Sequence, residues 1–322
     1  MFPLGASPPR PSPASPLGEA LLASLGMQPL RGMLVVDFSR YLPGAFASRE
    51  LLELGARVVC IEPPGGDPLR ISAPAWDDAL RAGKESLELD LKRDPTPALK
   101  LMAEADVVLE SFRPGVASRL GIGPERASER TIYCSITGFG LGGRHEQRAG
   151  HDLNYLGWAG TLWDTAPALP PVQIADLAAG GLGAVTRILA ALLERGSTGK
   201  GAHVVVSMTH GSHRLVAHRL GGDGVPRMLT GGLACYRIYA TSDRRHLTVA
   251  ALEPLFFRRL TELLGRPELA ERQFDADQEA LAAELAAIFA ARTLTEWLEL
   301  FDAEDVCVGP VATIAEAASD LA

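Results

Sequence analysis

The chain has 322 residues, of which 47% are hydrophobic and 22% charged, a balance typical of a globular protein large enough for two domains. The formal net charge of −8 argues against a general nucleic-acid binder, which would normally present a basic surface. The four cysteines are widely spaced and form neither a CxxC pair nor a zinc-binding pattern, so we expect reduced thiols and a cytoplasmic location. No unbroken apolar run is long enough for a membrane span, and we expect no membrane partner.

The first 30 residues are rich in proline, serine and alanine. They contain no apolar segment followed by a cleavage site, as a signal peptide would. This composition predicts a disordered or loosely ordered extension over residues 1–30, with a short helix at 18–26. The first folded domain is therefore expected to begin at about residue 31.

From residue 33, apolar runs of strand length alternate with segments of helical periodicity. Strands are predicted at 33–38, 57–62, 86–91, 106–111, 131–138 and 203–208, and helices at 44–56, 95–105 and 174–195. This alternation is typical of an α/β fold with a parallel sheet covered by helices on both faces, here a large Rossmann-like domain over residues 31–224. Ligands of such sheets bind in the loops that follow the strands, which here are 39–44, 63–70, 111–115 and 139–152.

The pattern changes after a glycine-rich linker at 221–232. Two alternating strands, YRIYAT and HLTVAAL, are joined by SDRR as a hairpin, and helices are predicted at 254–264, 277–291 and 294–302. Thr293 and Glu296 have the spacing of a capping box. A last strand over 307–314 runs into a final helix. We predict a smaller α+β domain over residues 225–322.

Several common catalytic motifs are missing. The first strand is not followed by GxGxxG, no GxSxG is present, and GSTGKG (196–201) lacks the spacing and the preceding strand of a phosphate-binding loop. These gaps argue against hydride transfer, nucleotide hydrolysis and serine hydrolysis. His210, His213 and His218 have no acidic or cysteine partner near them in sequence, so we expect no metal.

The stretch RAGHDLNYLGWAG (148–160) places His151 beside Asp152 at the start of an apolar segment. One interpretation is structural, with Asp152 accepting hydrogen bonds from the first turn of a helix. The other is acid–base chemistry, since a histidine titrates near neutral pH. The residues alone leave both open.

Several motifs, in order, resemble those of the class III CoA-transferase family (CaiB/BaiF type), which includes α-methylacyl-CoA racemase and formyl-CoA transferase. They cover roughly residues 32–314 and include the segments MLVVDFSRYLPGAFASRELLELGARVVCIEPPGGDPLR, GKESLELDLK, ADVVLESFRPGVASRLGIG, TIYCSITGFG, RAGHDLNY, IADLAAGG, TGKGAHVVVSM and VAALEP. The resemblance implies an acyl-CoA substrate, no cofactor beyond the CoA that the substrate carries, and a homodimer that is possibly interlocked.

CoA carries phosphates, which need cationic or N–H donors. The residues on predicted ligand-facing loops that suit this role are Arg113, Arg70 and Lys84. Arg70 and Lys84 are equally consistent with solvated surface charges. Arg113 is the stronger candidate because it ends a strand and precedes Pro114, at the mouth of the predicted crevice.

The form GHDLNY resembles the racemase branch. The resemblance then implies that His151 and Asp176 are two bases on opposite faces of the substrate, that Asp152 supports the site, and that Glu253 pairs with the histidine. Inverting a carbon next to a thioester requires one group to remove its proton while another supplies a proton from the opposite face. We expect backbone N–H groups around Gly150–Asp152 to stabilise the enolate oxygen.

Two other interpretations of these residues stay open. Asp176 is equally placed to cap a helix over 177–195, and Glu253, before Pro254, to begin the next helix. Taken together, the resemblance to the racemase branch implies a racemase or epimerase of 2-methyl-branched acyl-CoA thioesters. The alternatives are a CoA-transferase with Asp152 as nucleophile and an inactive CoA-binding relative. Branched fatty, bile-acid-like and arylpropionyl groups all remain candidates for the acyl chain.

Overall fold

The computed structural model describes residues 27–222 and 227–321. The helix predicted at 18–26, and the predicted extension as far as residue 26, lie outside the described residues. The chain divides into two compact units between His218 and Arg219, where the sequence predicted a boundary at 224/225.

The first unit contains one six-stranded parallel sheet, as the sequence predicted. Its strands are β1 (Leu34–Asp37), β2 (Arg57–Glu62), β3 (Glu85–Glu88), β4 (Val107–Glu110), β5 (Ile132–Thr137) and β6 (Ala202–Ser207). Their order across the sheet is β3-β2-β1-β4-β5-β6. This is the strand order of a doubly wound Rossmann fold, in which the order reverses beside the first strand.

The helices of the first unit follow the strands in turn. They are α1 (Leu42–Glu53), α2 (Pro68–Ser72), α3 (Pro74–Arg81), α4 (Thr96–Glu104), α5 (Val116–Arg119), α6 (Asp152–Ala159), α7 (Gly183–Thr198) and α8 (Met208–Val216), with a π-helical segment, Ala175–Leu182, leading directly into α7. The sequence analysis missed α2, α3, α5 and α8. Both α2 and α3 begin with a proline, and the Asp67 side chain caps α2 by accepting the Leu69 N–H at 2.8 Å.

Helices cover both faces of the sheet, so the central strands are buried on both sides and consist of continuous apolar runs. Successive residues of β1 illustrate this, since Val35 belongs to the core beneath α1 and α7 and Val36 to the core beneath α4. The edge strand β3 differs, because all four of its residues are exposed. Because β1, β4 and β5 are parallel neighbours in the middle of the sheet, their carboxyl ends lie side by side at one edge.

Two of the three glycines in the predicted helix 174–195 have a packing explanation. A Cβ on Gly181 would lie 2.6 Å from Phe46 Cδ1 of α1, and a Cβ on Gly180 would lie 3.1 Å from Met208 Cγ of α8. The glycines therefore allow α1 and α8 to approach this helix closely, as the sequence suggested. The continuous helix Ala175–Thr198 is long and apolar enough to cross a membrane, but its buried face, with Ala184 and Ile188, belongs to the core.

The second unit contains the predicted hairpin and helices. The strands β7 (Tyr236–Ala240), β8 (His246–Ala250) and β9 (Val308–Pro310) form an antiparallel sheet, and the helices are α9 (Pro254–Leu263), α10 (Gln278–Phe289), α11 (Leu294–Phe301) and α12 (Ile314–Asp320). The last strand is shorter than predicted. The Thr293–Glu296 capping box is confirmed at the start of α11. Cys60, Cys134 and Cys235 are buried and Cys307 is exposed, and all four are free thiols.

Candidate functional site

A cleft of about 470 Å³ lies at the carboxyl ends of β1, β4 and β5. Its walls come mainly from three of the four loops that the sequence identified as ligand-binding, and it also reaches the π-helical segment and the start of α8. Its lining residues are Arg40, Tyr41, Pro43, Ser111, Phe112, Arg113, Pro114, Ile136, Gly138, Glu146, Arg148, Ala149, Gly150, His151, Asn154, Tyr155, Asp176 and Met208. The structure thus brings His151, Asp176 and Arg113 to one cavity, although Arg113 and Asp176 are 63 residues apart in the sequence.

His151 lies at the N-terminal end of α6, on the wall of this cleft. It is the residue that precedes the helix, and Asp152 is the first helical residue, so the structure does not support the interpretation that Asp152 caps this helix. Asn154 Oδ1 accepts the His151 backbone N–H at 3.1 Å and fixes the backbone at this point. That N–H is therefore already hydrogen-bonded, which removes one of the donors that we expected for an enolate oxygen. The imidazole is solvent-exposed and meets the ring of Tyr41 edge-on.

Asp176 is the second residue of the π-helical segment, and its carboxyl group faces the same cleft. The alternative that it caps a helix beginning at 177 is wrong, because the helix begins at Ala175. Burial, assisted by the nearby Asp152 carboxylate, raises the pKa of Asp176 to about 7. The carboxyl group can therefore accept or donate a proton near neutral pH. A π-helical turn at this point is typical of functional sites, because it shifts side chains out of α-helical register.

Asp152 has a different position from the one required of a nucleophile. Its Oδ1 accepts the backbone N–H of Asp176 at 3.0 Å, and its side chain is not among those that line the cleft. The contact ties the first turn of α6 to the first turn of the π-helical segment. Asp152 therefore holds His151 and Asp176 in a fixed relation through the backbone.

Tyr155 also lines the cleft. Its hydroxyl donates a hydrogen bond to the Gly150 carbonyl at 2.5 Å, which holds the loop before His151 against α6. Burial, together with the negative charge of Asp176, raises the pKa of Tyr155 to about 12, so the phenol is neutral at physiological pH. Sequence reasoning did not single out Tyr155, although it lies one helical turn after His151.

The cleft is rich in arginine. Arg113, which the sequence identified, is joined by Arg40 and Arg148, which it did not. The Arg40 guanidinium lies over the Phe112 ring at 5.4 Å and that of Arg148 over the Trp158 ring at 5.1 Å. Both arrangements are cation–π contacts that hold a guanidinium at the cleft without neutralising its charge. The signal that could have found these residues is their position in the loops after β1 and β5.

A second cleft, of about 400 Å³, shares Arg40 and Phe112 with the first. It extends from there along the carboxyl ends of β2 and β3. Its remaining lining residues are Ile61, Glu62, Pro63, Pro64, Leu89, Asp90, Leu91, Lys92, Val116 and Leu120. Lys92 is therefore a further cation on the same edge of the sheet, with apolar surface around it.

The structure does not bring Arg70 and Lys84 to either cleft. The Arg70 guanidinium pairs with Glu62 at 2.9 Å and with Asp77 at 3.0 Å. Lys84 Nζ donates to Ala45 O at 2.7 Å and to Ser48 Oγ at 2.8 Å, and burial lowers its pKa. Both side chains are therefore used within the fold, and we do not assign them to ligand binding.

Glu253 belongs to the second unit. It is exposed and immediately precedes α9, and its side chain does not cap that helix. Its position fits the expectation of a helix-entry residue, and its pairing with His151 stays a prediction.

The sequence matches CoA-transferase family III over residues 30–321. The chain belongs to this family. It is 37% identical to human α-methylacyl-CoA racemase over 308 residues, an alignment that covers 89% of this chain and 78% of that protein. It is 33% identical to the acetyl-CoA:oxalate CoA-transferase of Acetobacter aceti, with coverage of 90% and 82%. Among solved structures, a CaiB/BaiF family protein from Brucella suis matches with a TM-score of 0.76 at 29% identity, covering 91% of this chain and 86% of that one.

This membership confirms the fold that the sequence motifs predicted, and it places the chain in a family of enzymes. The two named relatives carry out different reactions by name, one a racemisation and the other a transfer of CoA. Which of these reactions the chain carries out depends on the chemistry of its own cleft.

Proposed function

We propose that this protein is a racemase or epimerase of 2-methyl-branched acyl-CoA thioesters. The observation that carries this proposal is the presence of His151 and Asp176 in one cleft, with the pKa of Asp176 raised to about 7. Two groups of different chemical type in one cleft suit a reaction in which one must begin deprotonated and the other protonated.

In one direction the neutral His151 imidazole removes the proton from the α-carbon, and the electron pair moves into an enolate of the thioester. The protonated Asp176 carboxyl group then delivers a proton to the opposite face of the same carbon. The products are the inverted thioester, a protonated imidazole and a carboxylate, and the opposite enantiomer uses the two groups in reverse. The neighbouring Asp152 favours the protonated form of Asp176, because two close carboxylates resist double ionisation.

The arginines and Lys92 supply what the CoA portion of the substrate needs. Arg113 and Arg40 face the cleft that holds the two bases, and Arg40 also faces the second cleft with Lys92. We assign the phosphates of CoA to this group of cations, because charge-assisted hydrogen bonds to phosphate are the strongest that such side chains make. We also expect the protein to form a homodimer and to lie in the cytoplasm. The oligomeric state and the location both stay predictions.

Transfer of CoA to a free carboxylic acid is the second candidate, and the similarity to the oxalate CoA-transferase favours it. That reaction needs a carboxylate nucleophile at the substrate, which attacks the thioester carbonyl and expels the CoA thiolate. The sequence assigned this role to Asp152. In the structure the carboxyl group that faces the cleft is that of Asp176, so the assignment for transfer moves to Asp176.

Stereospecific exchange separates the two candidates. In deuterated water, His151→Ala retains Asp176 and should still exchange the α-proton of one enantiomer. Asp176→Asn retains His151 and should still exchange the α-proton of the other enantiomer. Neither variant should invert the α-carbon. His218→Ala, at an exposed residue outside the cleft, is the control and should behave as wild type. Transfer activity that survives in His151→Ala and disappears in Asp176→Asn would instead establish the transferase.

A further inference from the structure

Tyr41 has a backbone conformation that is unusual for its residue type. Its φ is 64° and its ψ is −163°, a region that is occupied almost solely by glycine. A Cβ at this position crowds the backbone, so the conformation persists only where the surroundings enforce it. Tyr41 lies in the loop between β1 and α1, directly before the first residue of α1.

The surroundings that enforce it are buried and charged. Asp67 Oδ2 accepts the Tyr41 backbone N–H at 3.3 Å, and Asp67 itself is 3% exposed. The other oxygen of Asp67 accepts the Leu69 N–H, and Arg81 lies 3.5 Å from the carboxylate. The loop after β1 is thereby tied to the loop after β2 by a buried carboxylate that has other partners of its own.

The side chain of Tyr41 contributes little to the core. Tyr41 is 46% exposed and lines the cleft. Its ring centroid lies 6.3 Å from that of His151, and the two rings are nearly perpendicular, at 88°. Glycine would fit this backbone without strain, and burial does not repay the cost of a tyrosine. What the tyrosine provides is an aromatic edge beside the imidazole.

We propose that Tyr41 is a positioning residue for His151. Its ring restricts the rotation of the imidazole, and the strained backbone, tied to Asp67, aims the ring. This inference rests on the proposed role of His151 as a base. A base must be held close to its productive geometry, since displacement by about 1 Å can reduce turnover by roughly two orders of magnitude.

Three variants of the full-length chain test this role. Tyr41→Ala and Tyr41→Gly both remove the ring, but only the glycine variant relieves the strain. We expect both to lower kcat for α-proton exchange by about tenfold with KM for the acyl-CoA unchanged, and Tyr41→Phe to retain wild-type kcat. We also expect the glycine variant to melt about 2–4 °C above the alanine variant.

A second measurement does not depend on activity. Ethoxycarbonylation of His151 by diethyl pyrocarbonate, which releases carbon dioxide and ethanol, can be followed by peptide mass spectrometry. It should be faster in the alanine and glycine variants than in wild type and in Tyr41→Phe. If His151 is labelled at the same rate in all four proteins, or if the alanine and glycine variants keep wild-type kcat, Tyr41 is not a positioning residue. If the wild type exchanges no α-proton, the proposed function fails, and the labelling rates still decide the contact between Tyr41 and His151.

Discussion

Replacement of Asp176 by asparagine should stabilise the protein, and the gain should grow with pH. The pKa of Asp176 rises from 3.8 to about 7 on folding, because burial and the neighbouring Asp152 disfavour the charged form. Below pH 3.8 the carboxyl group is protonated in both the folded and the unfolded chain and contributes nothing to the pH dependence. As pH rises from about 4 to 7, the unfolded chain loses this proton before the folded one does, so wild-type stability falls.

The size of the effect follows from the same values. At about 1.4 kcal/mol for each pH unit between the two pKa values, Asp176 costs the folded state about 3 kcal/mol at pH 6 and about 4 kcal/mol at pH 8. Asparagine has nearly the same shape and cannot ionise. The free energy of unfolding of Asp176→Asn, relative to wild type, should therefore increase by about 3–4 kcal/mol between pH 4 and pH 8.

Urea unfolding of both proteins at pH 4, 6 and 8, followed by circular dichroism, measures this difference. Asp78→Asn, at an exposed residue of α3, controls for the loss of one carboxylate, and its stability should be close to that of wild type. A pH-independent difference for Asp176→Asn, or one that decreases with pH, would refute the assignment of a raised pKa to Asp176.

Three further changes should have separable effects. Lys84→Met should lower the free energy of unfolding, measured in urea, by about 1–3 kcal/mol, because Ser48 and a backbone carbonyl lose a buried donor. An unchanged midpoint of urea unfolding would show that Lys84 acts only as a solvated surface charge. Gly181→Ala should cost about 1–3 kcal/mol by the same assay, since the new Cβ would meet Phe46 at 2.6 Å, and equal stability would show that α1 can move away. Lys92→Gln should raise KM for acyl-CoA several-fold without lowering kcat in a steady-state assay, and an unchanged KM would exclude Lys92 from CoA binding.

The parallel sheet was predictable because its strands are buried on both faces. Segments such as RVVCIE must then be continuously apolar, and the strand over 57–62 was predicted with the bounds that the structure shows. The helices α2 and α3 were not, because they are short and bury few apolar residues. They are fixed instead by ion pairs of Arg70 and Arg81 with the buried carboxylates of Glu62 and Asp77, which sequence periodicity does not reveal.

The candidate site was predictable only in part. Motif order identified His151 and Asp176, and the rule that ligands bind after parallel strands identified most of the loops that form the cleft. The direction of a long cationic side chain depends on tertiary partners instead. Lys84 lies in a loop as the sequence predicted, yet its ammonium group reaches Ser48, 36 residues earlier in the chain. The sequence therefore locates such a cation and leaves its function undetermined.

The most direct test of the proposed function is proton NMR of one enantiomer of a 2-methylacyl-CoA with the wild-type protein in deuterated water, with a free carboxylic acid also present. We expect the α-proton signal to disappear while the other diastereomer accumulates, with deuterium at the α-carbon. An unchanged α-proton together with a new acyl-CoA would contradict racemisation and establish CoA transfer. Binding of the thioester with neither change would show that this family member is inactive toward that substrate, and would contradict the assignment of His151 and Asp176 as its two bases.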